Sequence, residues 1–141
     1  MQARTQQQAP AADFLRLLGK DPAQTWFRTI RPGKGANGSR NGADLHGLDL
    51  EALHRDNANG EAVYFVTGDS TTASGKGGGV LNRDITACRM VFAEWDNRSI
   101  EWQLQAWQEQ NLPEPTVMVL TGGKSVHCYC CLLYTSDAAD E

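Results

Sequence analysis

Residues 90–129 limit the possible folds more than any other part of this 141-residue chain. Met90, Val91, Phe92 and Ala93 make an apolar run with strand-forming residues, and acids appear only at its end, in Glu94-Trp95-Asp96. Side chains alternate across a strand, so Glu94 and Asp96 are expected to face the same way and Trp95 the other. Ile100, Leu104 and Trp107 follow at helical spacing, and Pro113 and Pro115 end that segment. Thr116 to Leu120 is again apolar and β-branched, and Thr121-Gly122-Gly123 turns the chain. Lys124 to Tyr129 then alternates, with Ser125, His127 and Tyr129 on one face and Val126 and Cys128 on the other. Strand, helix, strand and hairpin return predict an α+β sheet with a helix laid on one face.

This arrangement carries chemistry. Two carboxylates one residue apart on a strand can share a divalent cation, and without one they would repel each other. Mg²⁺ and Mn²⁺ favour oxygen ligands, and nucleotide-handling sites commonly use one or two carboxylates plus the substrate's phosphates. A hairpin presenting Lys124, Ser125 and His127 beside such a pair offers hydrogen-bond donors and positive charge for a triphosphate. Taken singly, an acid at a strand end is an ordinary solvated terminus, and a lone His in a strand is more often structural than functional. Their company gives them meaning.

Phe92-Ala93-Glu94-Trp95-Asp96, together with Thr121-Gly122-Gly123-Lys124-Ser125-Val126-His127-Cys128-Tyr129, resembles the archaeo-eukaryotic primase superfamily, in particular the bacterial and phage primase-polymerases. That family carries an acid-x-acid motif on one strand, a Ser-x-His motif on another and a third acidic motif further on. The resemblance spans residues 13–129. It implies an RRM-like catalytic sheet, incomplete here, with helices on one face. It also implies that Glu94, Asp96 and His127 are catalytic, the two acids as ligands of Mg²⁺ or Mn²⁺, and that Ser125 and His127, with Lys124, bind the incoming nucleotide's phosphates. DNA template, (d)NTPs and a helicase domain or protein are the partners that follow. No third acidic motif is present in the chain.

The last residues differ in character. Cys131 to Glu141 resembles a translated sequencing-library adapter, so residues 131–141 are expected to be a non-native tail on a partial catalytic domain of residues 13–130. Cys130 stands at the junction, where the family has Trp. The tail bears on the charge argument: the formal charge of −4 includes Asp137, Asp140 and Glu141, and without those three it becomes −1 (−4 + 3). A nucleic-acid partner is therefore compatible with the overall charge. Cys128, Cys130 and Cys131 beside His127 do not make a zinc site, because the spacing is wrong and two of them belong to the tail or its junction. Hydrophobic content of 40% and charged content of 21% fit a globular domain, and no apolar run approaches membrane-spanning length. A cytoplasmic protein is expected.

Upstream, residues 1–12 are rich in Gln and Ala and are expected to form a disordered arm. Asp13 is expected to cap a short helix carrying Phe14, Leu15, Leu17 and Leu18, with a second helical piece through Pro22 to Phe27. The segment from Arg28 to Gly42 is Gly-rich and basic, and Arg28, Arg31, Lys34 and Arg40 are its candidates for nucleic-acid phosphates. Leu48, Leu50 and Leu53 predict a helix, and Glu61 to Val66 a strand. A long Ser/Thr/Gly loop follows through Gly79. Gly75-Lys76-Gly77 and Gly123-Lys124-Ser125 both fail the phosphate-loop pattern, the first for want of Ser or Thr after Lys and the second for want of the leading Gly. His46, His54 and His127 do not cluster as a relaxase-like nuclease requires. The function expected is a metal-dependent nucleotidyltransferase, a DNA primase or polymerase; the alternative is a catalytically inert DNA-binding replication-initiation module of a phage or plasmid.

Overall fold

A computed structural model describes residues 3–31 and 44–132. The chain divides into two compact units. The first comprises Met1–Arg16 and Lys20–Cys88, and the second Leu17–Gly19 and Arg89–Glu141.

In the first unit a helix α1 (Ala3–Leu17), all but its last residue within the unit, precedes strands β1 (Trp26–Ile30) and β2 (Leu45–His46), helix α2 (Leu50–Ala58) and strand β3 (Ala62–Phe65). The strands form an antiparallel sheet in the order β2-β1-β3. Leu15, Phe27 and Leu53 make its core, with Phe14, Leu45, Leu48 and Phe65 packed around them. The residues set aside in sequence as an arm belong to α1 from Ala3 onward, since Ala, Gln and Arg are good helix formers. Asp13 lies inside α1 rather than capping it, 3.1 Å from Arg16 one turn on. The helical piece expected at residues 22–27 is a turn followed by β1, because alternate burial of Phe27 and Thr29 outweighs the local propensity. Asp49 caps α2 by accepting from the Ala52 amide.

The Ser/Thr/Gly loop that follows is held by two buried carboxylates. Asp84 accepts from the amides of Ser74 and Leu81, and Asp44 from the amide of Val80 at 2.7 Å. Gly75-Lys76-Gly77-Gly78-Gly79 closes on itself, the Gly75 amide donating to the Gly79 carbonyl. A Cβ at Gly75 would sit 2.5 Å from that carbonyl oxygen, so the turn requires glycine there.

The second unit contains strand β4 (Met90–Ala93), helix α3 (Ile100–Glu109), and strands β5 (Val117–Leu120) and β6 (Val126–Cys131). They form an antiparallel sheet in the order β4-β6-β5, the α+β content expected from sequence. Within α3 the expected inward stripe of Ile100, Leu104 and Trp107 is displaced. Gln103 and Ala106 are buried, while Leu104 stays exposed. Lys34, Arg40 and residues 133–141 lie outside the described residues. Among the described residues no helix is long and apolar enough to cross a membrane.

Candidate active site

β4 pairs with β6 so that Phe92 faces Tyr129 and Ala93 faces Cys128. Continued past the end of β4, that register sets Glu94 across from His127 and Asp96 across from Ser125. The side chains meet accordingly. His127 Nε2 lies 2.8 Å from Glu94 Oε2, and Ser125 Oγ lies 3.5 Å from Asp96 Oδ1, a contact at the limit of hydrogen bonding. Glu94, Asp96, Ser125 and His127 are thus brought together on one sheet face, as the alternation in sequence implies. Lys124 is exposed in the preceding turn.

The imidazole is fixed from both sides. Its Nδ1 lies 3.2 Å from the Tyr129 hydroxyl, and with that oxygen donating, the ring carries its proton on Nε2 and donates it to Glu94. Burial raises the pKa of Tyr129, and the charge of Glu94 raises it further, so the phenol stays protonated and able to donate. Phe92 stands beside both rings, with centroids 6.0 Å from His127 and 5.9 Å from Tyr129. Glu94 keeps 44% of its side-chain surface exposed, so the carboxylate remains open to a ligand.

Beyond Asp96 the chain turns through Asn97, whose φ of 62° is a left-handed conformation that Asn tolerates better than most residues. Ser99 then caps α3 by accepting from the Trp102 amide. Arg98 lies over the Trp102 ring at 5.0 Å, and Trp95 meets that ring edge-on. On the other limb, Thr121 closes the hairpin by donating both its amide and its hydroxyl to the Ser125 carbonyl.

Two carboxylates open to solvent on one face suit a hard divalent cation that draws its other ligands from phosphates and water. Among the described residues no group of three or more His, Cys, Asp or Glu converges as a complete metal cluster. The donor set therefore fits Mg²⁺ or Mn²⁺ as a partial site. Burial raises the pKa of the Cys128 and Cys130 thiols.

The structure resembles the AEP domain of the primase-polymerase (PrimPol) of cyanophage S-2L, with a TM-score of 0.67 and 31% sequence identity over 84% of this chain. The chain is of the archaeo-eukaryotic primase-polymerase type. It spans 58% of the length of that cyanophage domain. No family model matches the chain, and no curated protein does.

In this primase-polymerase-type chain the described basic candidates, Arg28 and Arg31, belong to the first unit and the acids to the second. Arg28 grips Asp44 with two bonds of 2.9 and 2.7 Å and donates a third to the Val80 carbonyl. Its guanidinium is engaged inside the first unit, and the bond to Asp44 raises its pKa. Arg31, in contrast, is 72% exposed and lies 3.8 Å from Glu61. Sequence reasoning missed Gln103, fully buried and bonded to the backbone on both sides of Ser125. A glutamine off the apolar stripe of Ile100, Leu104 and Trp107 gave no signal of burial.

Proposed function

We propose that this site serves DNA-templated nucleotidyl transfer in a primase-polymerase, with a nucleoside triphosphate and a template strand as substrates. The observation that carries the proposal is the meeting of Glu94 with His127 and of Asp96 with Ser125 across the β4–β6 register. Glu94 and Asp96 would hold Mg²⁺ or Mn²⁺, which when bound supplies Lewis-acid stabilisation of phosphate charge and activates the attacking hydroxyl. Ser125 and Lys124 supply donors to the triphosphate oxygens. His127 donates from Nε2, and the Tyr129 hydroxyl keeps that tautomer in place. When a triphosphate enters, its oxygens take over the proton that His127 now gives to Glu94, which frees that carboxylate for the cation.

The test compares the wild type with Asp96→Asn and Glu94→Gln in Mn²⁺-dependent incorporation of labelled nucleotides on a primed template. Each variant is expected to lose about 100-fold or more of the rate while its circular dichroism stays unchanged. Normal extension by Asp96→Asn would overturn the assignment.

A second reading is supported by the lack, among the described residues, of a third converging acid. It is a DNA-binding module without synthesis, using exposed cations such as Arg31 on the phosphate backbone. Salt-sensitive DNA binding with no metal-dependent incorporation in the wild type would select it.

A further inference from the structure

The two limbs of the site have no ladder between them where the functional side chains sit. β4 ends at Ala93, paired with Cys128, so Glu94 and Asp96 continue past the last residue of their strand. Ser125 precedes β6, whose first residue, Val126, pairs with Leu120 of β5. Strand pairing alone therefore leaves the distance between the acid limb and the Ser-x-His limb unspecified at their open ends.

Gln103 fills that gap. Its side chain is fully buried, and all three of its bonds reach backbone atoms of the two limbs. Nε2 donates to the Arg98 carbonyl at 2.9 Å and to the Lys124 carbonyl at 2.8 Å, while Oε1 accepts from the Val126 amide at 2.8 Å. Arg98 lies two residues past Asp96, and Lys124 and Val126 flank Ser125. One amide group thus ties the exit of the acid limb to both sides of the serine. The three bonds also fix its orientation, since only the amide nitrogen can donate to two carbonyls and only the oxygen can accept from Val126. A buried amide with every bond made is a rigid element, and removing it leaves three backbone groups without partners.

We infer that Gln103 is a positioning residue, the clamp that holds Asp96 and Ser125 in the geometry a metal-bound triphosphate requires. The inference rests on the proposed nucleotide site, and it extends the working residues from the two motifs to the helix between them.

The test uses the chain with Gln103→Met, which keeps the side-chain volume and removes all three bonds. Cys128→Ala is the control. It hollows the same strand at a fully buried position whose side chain is on the opposite face from His127, and so lowers stability without cutting the clamp. Two readouts are taken. Amide NMR spectra without ligand are expected to show residues 94–98 and 124–127 shifting together in Gln103→Met, with the rest of the second unit unmoved. Affinity for a fluorescent nucleoside triphosphate with Mn²⁺ is expected to fall about tenfold or more in Gln103→Met, and to change little in Cys128→Ala at matched or greater loss of thermal stability.

Spectra in which residues 94–98 stay in place would overturn the clamp whatever the affinities. Equal losses of affinity in both variants would reduce Gln103 to ordinary packing and overturn it too. A wild type that binds no triphosphate would instead sink the nucleotide site and the positioning role built on it. The spectra would then still decide whether the two limbs are tied.

Discussion

Single residues in this chain do more than their sequence neighbourhoods announce, and Asp84 has the most measurable effect. Its carboxylate accepts from the Leu81 amide at 2.8 Å, the Ser74 amide at 2.9 Å and the Thr72 hydroxyl at 3.3 Å. The Leu81 bond, then those from Ser74, hold its pKa at about 2 against an ordinary 3.8. The folded state thus favours the ionised form, so this contribution to stability is complete above the unfolded value and is lost as pH falls through about 4 to about 2. In urea titrations, Asp84→Asn should unfold at lower denaturant than the wild type at about pH 5, and the gap should narrow by about pH 2.5. A gap that stays constant would mean that the bonds to Asp84 do not depend on its charge. Asp44 is a second case, with no side-chain exposure and both oxygens engaged by Arg28 and Val80. Asp44→Ala should cost about 2–3 kcal/mol, less than for a wholly buried pair because Arg28 is about a third exposed, and calorimetry would measure it. Arg28, Asp44 and Gln103 also show where sequence reading stops. Strand alternation places Glu94, Asp96, Ser125 and His127 on a common face because a period of two is a local property. Whether an arginine faces a nucleic acid or a carboxylate sixteen residues on depends on chain return, which no local pattern encodes.

At the scale of elements, strands β3 to β6 were legible, whereas β1, β2 and the helix ends were less so. β3, β4, β5 and β6 fall where β-branched and apolar residues cluster, since a strand buried on one face must carry them. β4 ends with its apolar run at Ala93, and the two acids leave the ladder just where they gain access to solvent and ligands. Residues 22–27, a turn that runs into β1, read as helix in sequence. Their order comes from bonds invisible in sequence, such as the Thr25 hydroxyl donating to the Asp21 carbonyl. α3 matters most among the helices because it carries Gln103, and its start depends on the Ser99 cap. Ser99→Ala should lower stability by about 1 kcal/mol in denaturant titration. Because Gln103 lies one turn from that cap, amide exchange at Val126 should quicken in the same variant. Unchanged exchange at Val126 would separate the cap from the Ser-x-His limb.

For the molecule as a whole, the α+β class follows from the order of apolar runs, but its division into two compact units does not. Residues 67–89 read as one irregular stretch, although most of them are bound into the first unit by Asp44, Asp84 and Lys20, whose buried ammonium donates to the carbonyls of Thr67 and Gly68 and to Asp69. The division has a consequence for linkage. Glu94, Asp96, Gln103, Lys124, Ser125 and His127 all belong to the second unit, whereas Arg28 and Arg31 belong to the first. A ligand that binds only the folded state stabilises it by about 2.7 kcal/mol at a hundredfold excess over Kd, which slows exchange through unfolding of the unit that holds it by about 100-fold. Mn²⁺ with a non-hydrolysable nucleoside triphosphate should therefore slow hydrogen exchange in β4, α3 and β6. A chelator should restore the original rates, and Asp96→Asn should abolish the effect. Protection confined to β1, α2 and β3 would move the nucleotide to the first unit, and with it the reading of Glu94 and Asp96 as ligands would fall. Protection of β4 and β6 that survives the chelator would keep the site and remove the cation from it.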